Sequence, residues 1–221
     1  MLLQKCLYIC RMNYIDALNK RYSVKKFDTE KKVTEETLNR ILEAGRLSAS
    51  SLGLQPYRVL VISSPSKKED LASAFYNPSQ TSTCSHLLVI ISKKELEKNY
   101  VDNYFDLIVK ERQVSLDLLQ PFRNSVEGYI NRHNSETLPY WNEKQAYILL
   151  SNFIFSAALE GVDTCPMEGF DAHKVAEVLD IDSSKEIPTV CLALGYRAHD
   201  DLFQHGKKVR KPSDDLFQFI K

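Results

Sequence analysis

Between Ala146 and Leu159 the chain reads AYILLSNFIFSAAL, apolar on nearly every face of a helix, and Gly161 follows as a C′ stop. A helix that is apolar all round must be buried all round. This one is too short and too interrupted to span a bilayer comfortably, so its cover has to be protein. Two arrangements provide that cover. Either the chain wraps the helix as the centre of its own core, or a partner subunit covers the second face. At 221 residues, with 43% hydrophobic and 26% charged side chains, the chain has the size and composition for either.

Around this helix the patterns alternate. YRVLVISS, HLLVIIS and TVCLALGY read as buried strands. VTEETLNRILEAGRLS reads as a helix with Thr34 as N-cap, Glu35 and Glu36 in the first turn, and Val33 and Leu38 as a hydrophobic staple. DAHKVAEVLDI repeats the device with Asp171 as N-cap and the pair Phe170 and Val175. NYIDALNKRYS is an amphipathic helix candidate, and residues 101–133 are helical in pattern with a break expected near Pro121. There are no internal repeats, low-complexity segments or linkers. Residues 12–221 therefore read as one domain. Residues 1–11 lack the long apolar stretch and cleavage site of a leader, and Met12 stands directly before the amphipathic candidate, so Met12 reads as the natural start and residues 1–11 as an extension or a misassigned start.

Several function classes lose support. Lys and Arg number 29, as do Asp and Glu, so no net charge favours nucleic acid or an anionic membrane. The five cysteines (Cys6, Cys10, Cys84, Cys165 and Cys191) are odd in number, scattered and without a C-x-x-C pair, which points to reduced thiols, a cytoplasmic setting and no zinc. The five histidines lack metal-ligand spacing. No G-x-G-x-x-G, P-loop, H-E-x-x-H or G-x-S-x-G occurs.

Four short segments remain. In NKRYSVKKFD, Arg21, Ser23 and Lys25 occupy alternate positions. If the segment is extended they share one face, with Arg21 and Lys25 roughly 13 Å apart. If it is helical, Arg21 and Lys25 still meet at i, i+4. Either a long anionic ligand or a solvated basic patch fits this spacing. SASSLGLQPYRVLVI places Ser50, Ser51 and Gly53 ahead of Gln55-Pro56, and Pro56 keeps Gln55 out of a helix. CPMEGFD puts Pro166, Glu168 and Gly169 in a turn before a helix N-terminus, where a ligand can approach the backbone. GKKVRKP carries Lys208 and Arg210, again alternating. Each segment also has an ordinary reading as a loop, a helix start or a solvated charge run.

In order and wording these segments, together with NPSQTSTCSHLLVI, resemble the nitroreductase family of FMN-dependent NAD(P)H oxidoreductases, over nearly the whole chain from Met12. The resemblance implies an α+β, three-layer α-β-α fold, with a central, mostly antiparallel sheet flanked by helices, in a homodimer. It implies FMN as cofactor and NADH or NADPH as electron donor. Arg21, Lys208 and Arg210 match phosphate ligands, Ser23 a ribityl or phosphate partner, and Lys25 a donor to the flavin pyrimidine edge. Pro166, Met167, Glu168 and Gly169 match the turn against the isoalloxazine ring. Ser50, Ser51 and Gly53 match a loop reaching the flavin from the other subunit. Asn77 matches a contact at the ring edge, and Tyr22 and Gln80 fall among the cofactor contacts. The chain departs from the family at Gly53, where asparagine is frequent, at Tyr57, where tryptophan is, and at Gln80, where one type of relative has lysine. The chemistry implied is ping-pong transfer from NAD(P)H through the flavin to a nitroaromatic, quinone or flavin acceptor. No side chain acts as nucleophile or acid–base catalyst, while Lys25 and Glu168 tune the flavin. Nucleic acid and membranes are not expected partners. A flavin-binding sensor or storage protein is the alternative; a nucleotide-binding scaffold is a weaker one.

Overall fold

The computed structural model describes residues 13–221. The expected extension 1–11, the start at Met12, and Cys6 and Cys10 lie outside the described residues. Four strands, β1 (Tyr57–Ile62), β2 (His86–Lys93), β3 (Asp163–Met167) and β4 (Glu186–Gly195), form one sheet in the order β1-β2-β4-β3. Every neighbouring pair is antiparallel. The helices are α1 (Tyr14–Lys20), α2 (Glu35–Arg46), α3 (Pro65–Ala72), α4 (Pro78–Thr83), α5 (Lys98–Arg112), α6 (Leu116–Ile130), α7 (Thr137–Leu159), α8 (Ala172–Val178) and α9 (Ser213–Leu216).

Strand β2 shows why the sheet is a middle layer. Leu87, Val89 and Ile91 pack into one core with Leu71 of α3 and Val175 of α8. Leu88 and Ile90 pack into a second core with Ile41 of α2 and Leu149 and Phe153 of α7. Alternate side chains leave a strand on opposite faces, so an unbroken apolar run requires cover on both. The expected three-layer α+β architecture follows. The caps are also as read: Thr34 Oγ1 accepts from the Thr37 N–H, and an Asp171 carboxylate oxygen accepts from the N–H groups of His173 and Lys174.

Helix α7 starts at Thr137, well before the apolar run. Its inner side is buried, and α2 approaches so closely that a Cβ on Gly45 would lie 2.0 Å from Phe153 Cε1. Its other side is not covered: Tyr147 is 40% exposed, Ile148 42%, Phe155 37% and Leu159 41%. The chain's own core accounts for one face of this helix and leaves the second open.

Two expectations need correction. Pro166 and Met167 are not in a turn but in β3, paired with Leu192 and Cys191. The proline is tolerated because β3 is the edge strand of the sheet, and the one bridge on its outer side is at Thr164 rather than at Pro166. The break in 101–133 is not at Pro121, which lies inside α6. The break is at Gln113, whose left-handed backbone (φ 54) ends α5. A residue of that hand cannot continue a right-handed helix. Pro121 removes only one helical hydrogen bond, at an exposed position where water can satisfy the carbonyl.

No helix of the described residues is long and apolar enough to cross a membrane.

Candidate functional site

After α1 the chain straightens. Arg21 is extended (φ −67, ψ 141), the Val24 N–H donates to the Thr164 carbonyl at 3.2 Å, and Ser23 bridges Thr164 in parallel. The extended alternative therefore holds and the helical one does not. Val24 is fully buried, while Arg21, Ser23 and Lys25 line a cavity of about 600 Å³. Lys208 and Arg210 line the same cavity, from a segment almost at the other end of the sequence.

These cations crowd one another; the Arg210 charge acts on Arg21 more strongly than the opposing charge of Asp163. Arg21 Nε is buried and has no hydrogen-bond partner among the described residues. Burial and then the nearby Arg210 charge lower the Arg21 pKa; burial, Arg21 and Arg210 lower that of Lys208. Lys208 Nζ donates to the Arg21 carbonyl, which ties the two segments. No Asp or Glu lines the cavity among the described residues. Cations held together against their own repulsion, one with an orphaned donor, fit a phosphate: it would satisfy Arg21 Nε and offset the repulsion.

Asp201 builds this arrangement, and it was not among the residues singled out from the sequence. Its side chain is 3% exposed. Oδ2 accepts from the N–H groups of Lys25 (2.7 Å) and Lys26 (3.1 Å), and Oδ1 from that of Phe203 (3.0 Å). The only local signal was an acidic residue heading a short helical turn, which is common. Burial alone would raise the Asp201 pKa, but the three backbone donors outweigh it and hold the group below the usual carboxylate range. Because the folded pKa is depressed, the stabilisation is complete above the unfolded value and is lost as pH falls through the folded one. Asp201→Asn is expected to cost about 2–3 kcal/mol at neutral pH. The difference in melting temperature from wild type should shrink below about pH 4. A pH-independent difference would contradict this role.

Tyr22 forms a wall of the cavity rather than a flexible contact. Its ring packs against the core, and the Arg197 guanidinium sits 4.5 Å above the ring centroid while pairing with Asp163. Gln80 is 6% exposed, and its Nε2 donates to the Val24 carbonyl (3.1 Å) and Cys165 Sγ (2.8 Å). Both amide protons are thus engaged within the protein, which leaves only Oε1 for a ligand.

Glu168 and Gly169 follow β3. The Gly169 carbonyl accepts from the Tyr76 N–H at 3.0 Å, and a Cβ on Gly169 would lie 2.9 Å from Tyr76 Cδ2. Tyr76 is 89% exposed beside Asn77, whose side chain makes no capping hydrogen bond to α4.

Ser50, Ser51 and Gly53 are not brought to this cavity. Ser50 Oγ accepts from the Gln55 N–H (2.9 Å), and the Ser51 N–H donates to Gln145 Oε1 (2.8 Å). The loop is held by α5, since Tyr104 Oη donates to the Leu52 carbonyl and Tyr100 Oη to the carbonyls of Leu54 and Gln55. Leu52 (φ 58), Gly53 (φ 73) and Gln55 (φ 45) all carry left-handed backbone. For Leu52 and Gln55 that conformation is strained, of the sort retained where surroundings over-determine it.

Among the described residues no group of His, Cys, Asp and Glu could hold a metal ion. The nitroreductase family model matches residues 18–196. A Staphylococcus haemolyticus protein named as an NAD(P)H nitroreductase is 38% identical over 214 residues, covering 93% of this chain and 96% of that protein. A similarly named Staphylococcus epidermidis protein is 37% identical over the same shares of both chains. Among solved structures, one described as an NAD(P)H:FMN oxidoreductase from S. epidermidis superposes with a TM-score of 0.83 at 25% identity, covering 94% of this chain and 96% of that one. Another, described as a nitroreductase in complex with FMN from Exiguobacterium sibiricum, has a TM-score of 0.81 at 22% identity, covering 94% and 97%, and shares the fold.

Proposed function

The chain belongs to the nitroreductase family and is an NAD(P)H-dependent FMN oxidoreductase, and we propose that it reduces a small nitroaromatic, quinone or flavin acceptor by a ping-pong cycle in one cleft. The observation that carries the cofactor assignment is the carboxylate-free cavity where Arg21, Lys208 and Arg210 crowd together with Arg21 Nε unpaired. Bound FMN supplies the redox chemistry, accepting hydride from NAD(P)H and passing two electrons on. The residues here bind and orient it. Arg21, Lys208 and Arg210 hold the phosphate, and Ser23 the ribityl chain or phosphate. Lys25 faces the pyrimidine edge with Gln80 Oε1 nearby, and Tyr22 walls the cavity. Pro166, Met167, Glu168, Gly169 and Asn77 border the ring.

We further propose a homodimer. The uncovered face of α7, the exposed Tyr14, Ile15 and Leu18 of α1, and a tail with exposed Phe217, Phe219 and Ile220 are more apolar surface than a monomer ordinarily leaves in water. In the dimer the partner's serine loop, with its Ser50, Ser51 and Gly53 equivalents, completes each site. A cytoplasmic location accords with Cys84, Cys165 and Cys191, all free and buried.

Lys25 tests the electronic part of this reading. A cation at the pyrimidine edge stabilises the negative charge of the reduced cofactor more than the neutral oxidised form. Lys25→Met keeps much of the stem and deletes the charge. FMN should stay bound while its midpoint potential falls by roughly 30 mV, the equivalent of about 1.4 kcal/mol for two electrons. Spectroelectrochemical titration measures this directly. An unchanged midpoint with FMN fully bound would remove Lys25 from that role.

A further inference from the structure

We propose that Tyr147 is a positioning residue that fixes the Glu168 carboxylate at the cofactor-facing turn, and so links the uncovered face of α7 to the redox site. This rests on the assignment of the Glu168–Gly169 turn to the cofactor ring given above. Tyr147 Oη donates to Glu168 Oε1 at 2.5 Å. Burial, then the Glu168 hydrogen bond and charge, then Glu143, raise the tyrosine pKa, so the phenol is a proton donor at neutral pH.

The turn does not need this bond to keep its shape. The Tyr76 N–H donates to the Gly169 carbonyl, the Asp171 N–H to that of Ala74 (2.8 Å), and the Phe170 N–H to that of Glu168 (2.9 Å). The Phe75 and Phe170 rings pack 5.4 Å apart beneath it. The backbone is therefore held from the α4 side, and only the Glu168 side chain is held from α7. An exposed glutamate otherwise samples several rotamers. The phenol selects one of them, and with it the position of a negative charge. Tyr147 itself lies on the face of α7 that the chain leaves open. A second copy covering that face would desolvate the pair and strengthen the bond.

A fixed anion at this turn disfavours the reduced, negatively charged cofactor, in the sense opposite to Lys25. The experiment is a mutant cycle read on binding rather than turnover. Dissociation constants of oxidised and reduced FMN are measured for wild type, Tyr147→Phe, Glu168→Gln and the double variant, with sedimentation of each. Tyr147→Phe is expected to remain dimeric and to shift the oxidised-to-reduced affinity ratio about three- to tenfold in favour of reduced FMN. The tenfold limit corresponds to about 30 mV. Glu168→Gln should shift the ratio in the same direction, and adding Tyr147→Phe to it should change nothing further. Additive shifts, no shift in either single variant, or a Tyr147→Phe monomer would overturn the proposal. Failure of wild type to bind FMN would instead overturn the cofactor assignment beneath it.

Discussion

Replacing Arg21 and Arg210 together by alanine is expected to release FMN while leaving the fold intact. Both guanidinium groups line the cavity, and no carboxylate among its lining residues competes for them. Hydrogen bonds to charged groups contribute about 1.5–3 kcal/mol each. Losing two amounts to about 3–6 kcal/mol, or roughly 10²- to 10⁴-fold in affinity. The fold should survive because the pair repel each other without the ligand: the Arg21 pKa is lowered in part by Arg210. The melting temperature of the cofactor-free protein should thus be unchanged or slightly raised. Fluorescence titration with FMN measures the affinity. A double variant that binds FMN as tightly as wild type would show that the phosphate is held elsewhere.

The second large effect concerns the open face of α7. Ile148→Glu combined with Phe155→Glu is expected to give a monomer that no longer retains FMN. Both side chains are about 40% exposed in the single chain, so the charges are tolerated there. In a two-fold dimer each substitution occurs twice, and four carboxylates would be buried at the contact. An unpaired buried polar group costs at least about 1 kcal/mol, so dimerisation should weaken by about a thousandfold or more. On the proposed arrangement, in which the partner's serine loop completes each site, the cofactor should be lost with it. Sedimentation and flavin absorbance of the same sample report both effects. A stable, flavin-loaded monomer would defeat the shared-site arrangement.

Much of this was legible because local chemistry and the fold agree. The apolar runs of β2 and β4 are strands buried on both faces, as read, whereas β1, read the same way, lies at the sheet edge with Arg58 and Val61 exposed and only Ile62 buried; the caps at Thr34 and Asp171 form as their side chains dictate. β3 was hidden by Pro166, which argues against a strand unless its place at the sheet edge is known. Pro121 misled in the opposite way: a helix can absorb a proline at an exposed turn, whereas the left-handed Gln113 that ends α5 leaves no mark in composition. In the site, alternation put Arg21, Ser23 and Lys25 on one face only for an extended segment, and the pairing of Ser23 and Val24 with Thr164 decided between that and a helix. Asp201 was not legible, because its partners Lys25 and Lys26 are far away in the sequence and are bound through their backbone, which every residue has. The Tyr147–Glu168 bond likewise depends on α7 passing the end of β3, which only the tertiary arrangement reveals.

The most direct measurement is an anaerobic titration of the purified, FMN-reconstituted protein with NADH or NADPH, followed by visible absorbance. One FMN per chain should bind. Stoichiometric reductant should bleach its absorbance, and a quinone or nitroaromatic added afterwards, with no reductant left, should restore it. A protein that stays colourless with FMN, or whose bound FMN is not reduced by either nicotinamide, would contradict the assignment of this chain as an NAD(P)H-dependent FMN oxidoreductase.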